Sequence, residues 1–173
     1  MAKVFLDTNI LVYTVDTHDP VRCDRAREVL QSVHDSGQGV ISTQVIQEFY
    51  VAITRKLLVE PLVAKKLVDA LPPLEVVAVD VGMVREAIDA SILNQISFWD
   101  ALIVVAARKA KCSELWTEDL NPGQSILSVT VRNPMGLKGN GKVKESGVAY
   151  RVRPGTRKFA QDKRQDIRDR ERR

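Results

Sequence analysis

The stretch Lys3-Val4-Phe5-Leu6-Asp7-Thr8-Asn9 decides how the rest of the chain is read. Its apolar run over 3–6 reads as a short buried strand, and Asp7 follows it without a break. A carboxylate therefore stands at the carboxyl end of the first strand. In open α/β sheets that edge is where ligands bind. Working outward, Asn9 to Val15 predicts a short helix. Asp19-Pro20 is a cap followed by proline at the first helical position, opening a helix with Ala26, Val29, Leu30 and Val33 on one face. Gly37 and Gly39 close it. Val40-Ile41 predicts a second strand, and Ser42 and Thr43 cap a helix running to about Lys56. Pro61 starts another helix that Pro72-Pro73 stops. Glu75 to Val79, rich in valine, predicts a third strand of buried parallel character. Helices over about 81–95 and 98–110 follow, then a strand at Leu115-Trp116-Thr117 and an edge strand within Ile126 to Val131.

The alternation of strand and helix predicts an α/β sandwich, its mostly parallel sheet of four to five strands flanked by helices. The expected domain covers residues 1–135. From 136 the character changes: Gly136 to Gly155 holds five glycines and no hydrophobic period, and 157–173 is dominated by charge. That segment reads as a linker and a charged tail, either a solvated helix or disordered.

Charge is divided unevenly along the chain. Residues 133–173 carry 13 Lys and Arg against 5 Asp and Glu, net +8, while 1–132 carries 13 against 17, net −4. A basic tail on an acidic globule suits a polyanion partner, because Lys and Arg displace condensed counterions from nucleic acid. Cys23 and Cys112 are far apart, and only His18 and His34 could assist them, which argues against a structural zinc site or a disulfide scaffold. No run approaches the ~20 apolar residues of a membrane helix, and Asp7 interrupts any signal-peptide stretch. The expected location is the cytoplasm.

Acids that interrupt apolar surface are the informative ones. Asp100 sits in Phe98-Trp99-Asp100-Ala101-Leu102-Ile103-Val104-Val105, among residues that must be buried. Glu48 lies three residues after Val45 and four before Ala52, on the inward half of its helix. Asp119 follows the fourth strand, at the same sheet edge as Asp7. Each has a plainer reading alone: Asp100 as half of a capping box with Ser97, Asp7 as a helix cap, Glu48 as a solvated edge, Asp119 as part of a turn. Together they differ. Four carboxylates at one edge raise one another's pKa unless a cation neutralises them. Oxygen ligands without His or Cys favour a hard ion, Mg²⁺ or Mn²⁺.

Four segments in order, Phe5–Tyr13, Ile41–Phe49, Phe98–Ile103 and Trp116–Leu120, resemble the PIN-domain family, and most closely its toxin ribonucleases of the VapC type. The likeness covers about residues 1–135 and extends to Val131-Arg132-Asn133-Pro134. It implies a PIN-like three-layer sandwich with Asp7, Glu48, Asp100 and Asp119 as catalytic metal ligands. Thr8, Asn9 and Thr117 would hold the carboxylates, or a water on the metal, from behind. Glu118 should face away, which favours Asp119. The resemblance further implies RNA as substrate, Mg²⁺ or Mn²⁺ dependence, a homodimer, and a cognate antitoxin.

On this reading a metal-activated water hydrolyses an RNA phosphodiester, leaving a 5′-phosphate and a 3′-hydroxyl. Lys109, Lys111, Arg157 and Lys158 are candidates for gripping the RNA backbone. Rival readings are an inactive PIN-like module binding RNA or protein, and a housekeeping RNA-processing nuclease. A phosphoryl-transferring hydrolase with an aspartate nucleophile would want a second acid two residues after the first, where this chain has Asn9.

Overall fold

A computed structural model describes residues 2–136. The expected basic tail, with Arg157 and Lys158, lies outside the described residues apart from Gly136. Six strands form one sheet: β1 (Val4–Leu6), β2 (Gly39–Ser42), β3 (Glu75–Val77), β4 (Glu114–Trp116), β5 (Ser125–Ile126) and β6 (Val129–Arg132). Their order across the sheet is β3-β2-β1-β4-β6-β5. All pairings are parallel except β5 with β6. The helices are α1 (Thr8–Tyr13), α2 (Pro20–Ser36), α3 (Thr43–Arg55), α4 (Pro61–Asp69), α5 (Val81–Asn94) and α6 (Phe98–Lys109).

Local chemistry starts these helices where the sequence says it should. The side chains of Asp19, Ser42, Glu60, Asp80 and Ser97 each accept a backbone N–H three residues on. Gly37 ends α2 in the left-handed conformation. Along β1, Phe5 and Leu6 point to opposite faces of the sheet, yet both are fully buried. Val40 and Ile41 on β2 repeat the pattern. Both faces of the central strands are therefore covered, which gives three layers. One cover is α6, buried without interruption from Ala101 to Ala107.

Two expectations about the strands need correction. The single edge strand over 126–131 is a hairpin, β5 and β6, joined at Leu127 and Ser128, which both have positive φ. The sheet thus has six strands, and β6 is internal. The valine-rich β3 is an edge strand, with Glu75 and Val76 exposed. Its valines suit a pleated surface without being buried on both sides.

Among the described residues no single helix is long and apolar enough to cross a membrane. The pair α5 and α6 has the length and composition, but it is bent by 116°.

Candidate active site

The connections β1–β2–β3 build the sheet in one direction, and the chain then returns to place β4 on the other side of β1. Between β1 and β4 the strand order reverses, and a crevice opens at the carboxyl ends of such a pair. Asp7 follows β1, and Thr117 and Asp119 follow β4. The Asp7 backbone N–H donates to the Trp116 carbonyl, joining the two strands at that edge (3.1 Å).

Asp7 is buried at the floor. Its Oδ1 accepts from the Thr8 N–H at 2.6 Å, and its Oδ2 accepts from the Thr117 hydroxyl at 2.6 Å. Asn9 Nδ2 reaches Asp7 Oδ2 (3.3 Å), Thr117 Oγ1 (3.2 Å) and Asp119 Oδ2 (3.2 Å). The Asp119 N–H in turn donates to Thr117 Oγ1 at 3.0 Å. Asp119 itself is exposed, at the rim. Across the crevice, Glu48 is half-buried on α3, where the Thr8 hydroxyl donates to its Oε2 (2.9 Å) and Gln44 Nε2 to its Oε1 (2.9 Å). Asp100, half-buried in the first turn of α6, accepts from the Ser97 hydroxyl at 2.7 Å and returns its own N–H to Ser97 Oγ at 3.0 Å.

The plainer readings of Asp7 and Asp100 are therefore also true of the geometry. Asp7 caps α1, and Asp100 pairs reciprocally with the cap of α6. Neither bond removes the carboxylate from the shared electrostatic field. Burial lifts the Asp7 carboxyl to about 7 against the opposing pull of the Thr117 hydroxyl, and the nearby charges of Asp119 and Glu48 add to the rise. Asp100 is raised for the same reasons: burial first, then Asp119 and Glu48, with the Ser97 bond opposing. Asp119 and Glu48 thus act on both Asp7 and Asp100. As they stand, no three His, Cys, Asp or Glu side chains among the described residues close on a single ion.

Glu118 turns the other way and meets Arg22 at 3.6 Å. Lys109 and Lys111 are not brought to the carboxylates. Lys109 is nine residues beyond Asp100 on α6, about 13 Å along the helix, and its Nζ pairs with Asp80 at 2.6 Å. Lys111 follows at the same far end, where the neighbouring Ser113 N–H donates to the Lys3 carbonyl ahead of β1. That end adjoins the amino ends of the strands.

Sequence reasoning passed over Gln44. It is 4% exposed, and its Nε2 holds both Glu48 and the Trp99 carbonyl, the latter at 3.3 Å. Its position one turn before Glu48 was the available signal.

Solved structures of similar fold include a toxin and toxin–antitoxin complexes. The sarcin-ricin-loop-cleaving toxin VapC20 of Mycobacterium tuberculosis aligns with a TM-score of 0.57 at 19% identity, over 68% of this chain and 92% of that one. VapBC2 of Rickettsia felis, bound to a DNA fragment from its promoter, gives 0.57 at 20% identity over 75% and 97%. DNA-bound VapBC of Salmonella typhimurium gives 0.57 at 19% identity over 78% and 99%. At these identities the likeness is one of fold. A search by sequence among curated proteins found no significant match. The profile of the PIN domain, in contrast, matches residues 4–122, more than half of the chain, with all four acids and their threonine and asparagine partners inside that match. The chain belongs to the PIN domain family.

Proposed function

We propose that the protein is a divalent-metal-dependent endoribonuclease that hydrolyses RNA phosphodiester bonds, acting as the toxin of a toxin–antitoxin pair. The observation that carries the reading is Asp7, a buried carboxyl lifted to about 7 by desolvation and by neighbouring acids. A carboxylate cluster kept at that cost has a use for positive charge. The donor set fits Mg²⁺ or Mn²⁺: carboxylate oxygens, backed by hydroxyls and amides, with no His or thiolate.

Asp7 and Asp100 would hold the cation, with Glu48 and Asp119 completing the oxygen set or keeping the attacking water in line. When bound, the cation lowers the pKa of water and stabilises charge developing on the phosphate. The rest falls to the chain. Thr117 and Thr8 fix the lone pairs of Asp7 by donating to separate oxygens, and Thr8 Oγ1 and Gln44 orient Glu48. Asp119 at the rim would help keep the attacking water in line. Cleavage then leaves a 5′-phosphate and a 3′-hydroxyl.

An antitoxin partner and a second copy of the chain are part of the proposal. Three of the structural neighbours are toxin–antitoxin assemblies. Two exposed apolar areas support cover by partners: Val51, Leu58 and Leu62 around α3 and α4, and Ile88, Ile92 and Leu93 on α5. A cytoplasmic site of action accords with RNA as substrate.

The test is to express wild-type and Asp7→Asn protein and sequence the 5′ ends of cellular RNA fragments. New 5′-phosphate ends with the wild type alone support the reading. Identical end profiles would reject it and favour an inactive binding module.

A further inference from the structure

Two buried side-chain polar atoms among the described residues have no hydrogen-bond partner: Asn9 Oδ1 and Gln44 Oε1. Both belong to amides that lie against the crevice acids. Asn9 uses its nitrogen on Asp7, Thr117 and Asp119. Gln44 uses its nitrogen on Glu48 Oε1 and the Trp99 carbonyl, next to Asp100. The two amides together brace all four carboxylates, directly or from the adjacent residue.

The orientation of the Gln44 amide is settled by chemistry. Two N–H hydrogens face two acceptors, so the opposite orientation would set oxygen against oxygen twice. Oε1 is consequently left in a buried place without a donor, which disfavours the fold. The neighbouring Val45 and Phe49 are buried apolar residues, and a methionine at 44 would fill the space without the unmet Oε1, while withdrawing the donor from Glu48 Oε1 and the Trp99 carbonyl. A buried acceptor on the amide that holds Glu48 and the backbone next to Asp100 calls for a donor that arrives with a ligand. Mg²⁺ and Mn²⁺ keep part of their hydration shell when bound by carboxylates, and those waters donate.

Resting on the metal-dependent reading above, we propose that Gln44 is a positioning residue of the cation site. Its amide nitrogen fixes Glu48 against the first turn of α6, and its Oε1 accepts a hydrogen bond from the hydration shell of a divalent cation held by the acids. Groups that act behind the ligands in this way typically change metal affinity by 10–100-fold.

The experiment titrates full-length wild type, Gln44→Met, Gln44→Leu and Asp7→Asn with Mn²⁺, following free ion by electron paramagnetic resonance, and measures the metal-free Tm of each. The expected result is a Gln44→Met Tm close to wild type, the removal of the unmet acceptor offsetting the lost donor, with Mn²⁺ binding weakened about tenfold. Gln44→Leu should agree, and it serves if the methionine variant folds poorly. Binding within twofold of wild type overturns the proposal. So does weaker binding accompanied by a matching loss of metal-free stability in both variants, since Gln44 would then be a brace alone. If wild type shows no Mn²⁺ binding that depends on Asp7, the metal-dependent reading falls and this inference with it.

Discussion

The Thr117 hydroxyl donates to Asp7 Oδ2 at 2.6 Å across the seam between β4 and β1, joining residues 110 positions apart. This bond opposes the burial that raises the Asp7 carboxyl. Thr117→Val keeps the shape and removes the donor. It should push the Asp7 carboxyl higher still and weaken Mn²⁺ binding about 10–100-fold, with RNA cleavage falling in step. A titration and a cleavage assay check this; unchanged affinity would mean that the hydroxyl only packs.

Asp7 also predicts how metal-free stability follows pH. Below about pH 4 folded and unfolded chains both hold its proton. Between there and about pH 7 the unfolded chain releases the proton while the buried carboxyl retains it, so stability falls as pH rises. Above that range the slope from this group ends. Asp100, shifted the same way, adds to the trend. The full Asp7 effect is on the order of 4 kcal/mol. In EDTA, Tm should therefore drop from pH 4.5 to 7.5, and Asp7→Asn should flatten the curve. Equal slopes for the two proteins would contradict the buried, proton-holding carboxyl.

The adjacent acids Glu118 and Asp119 should behave oppositely. Asp119→Asn removes a charge that raises both Asp7 and Asp100, and should cut cleavage at least tenfold while leaving Tm unchanged or higher. Glu118→Gln loses only a surface contact with Arg22, worth about 0–1 kcal/mol, and should cleave like wild type. A reversal of these two results would move the site to the other face of the β4 loop.

If the basic segment grips RNA, truncation after Gly136 should weaken RNA binding and flatten its dependence on salt. The cut spares Met135, which is buried against Ile10, Ala26 and Val29. Lys109→Ala should change neither quantity, because that side chain is engaged with Asp80 at the far end of α6. Filter binding over a range of NaCl separates these outcomes.

Gln95 ends α5 in the left-handed conformation, with φ at 55°. Gly is the residue that adopts this backbone without steric cost, so Gln95→Gly should raise stability by about 0.5–1 kcal/mol. Thermal denaturation checks it, and a destabilised variant would show that the Gln95 side chain packs.

Much of this arrangement is legible in sequence because burial and chemistry conflict openly there. A carboxylate after Val4-Phe5-Leu6, or amid the apolar run that follows Asp100, has few structural excuses. The extra strand was hidden because its turn, Leu127-Ser128, takes positive φ without the Asn-Gly or Asp-Gly signature that marks such hairpins. Gln44 was hidden because a glutamine near a helix start looks like solvated surface until the partner helix is in place. The far position of Lys109 and Lys111 follows from the direction of α6, and charge alone does not reveal direction.

The reversal of strand order between β1 and β4 also sets when the site comes into being. Asp7 leaves the ribosome early, but its partner Thr117 is made 110 residues later. At about 5–20 residues per second that interval lasts roughly 5–20 s. Throughout it the nascent chain holds Asp7 without Thr117, and Asn9 without Asp119. On the proposed reading, the carboxylate site is therefore incomplete until β4 and the residues after it have been made.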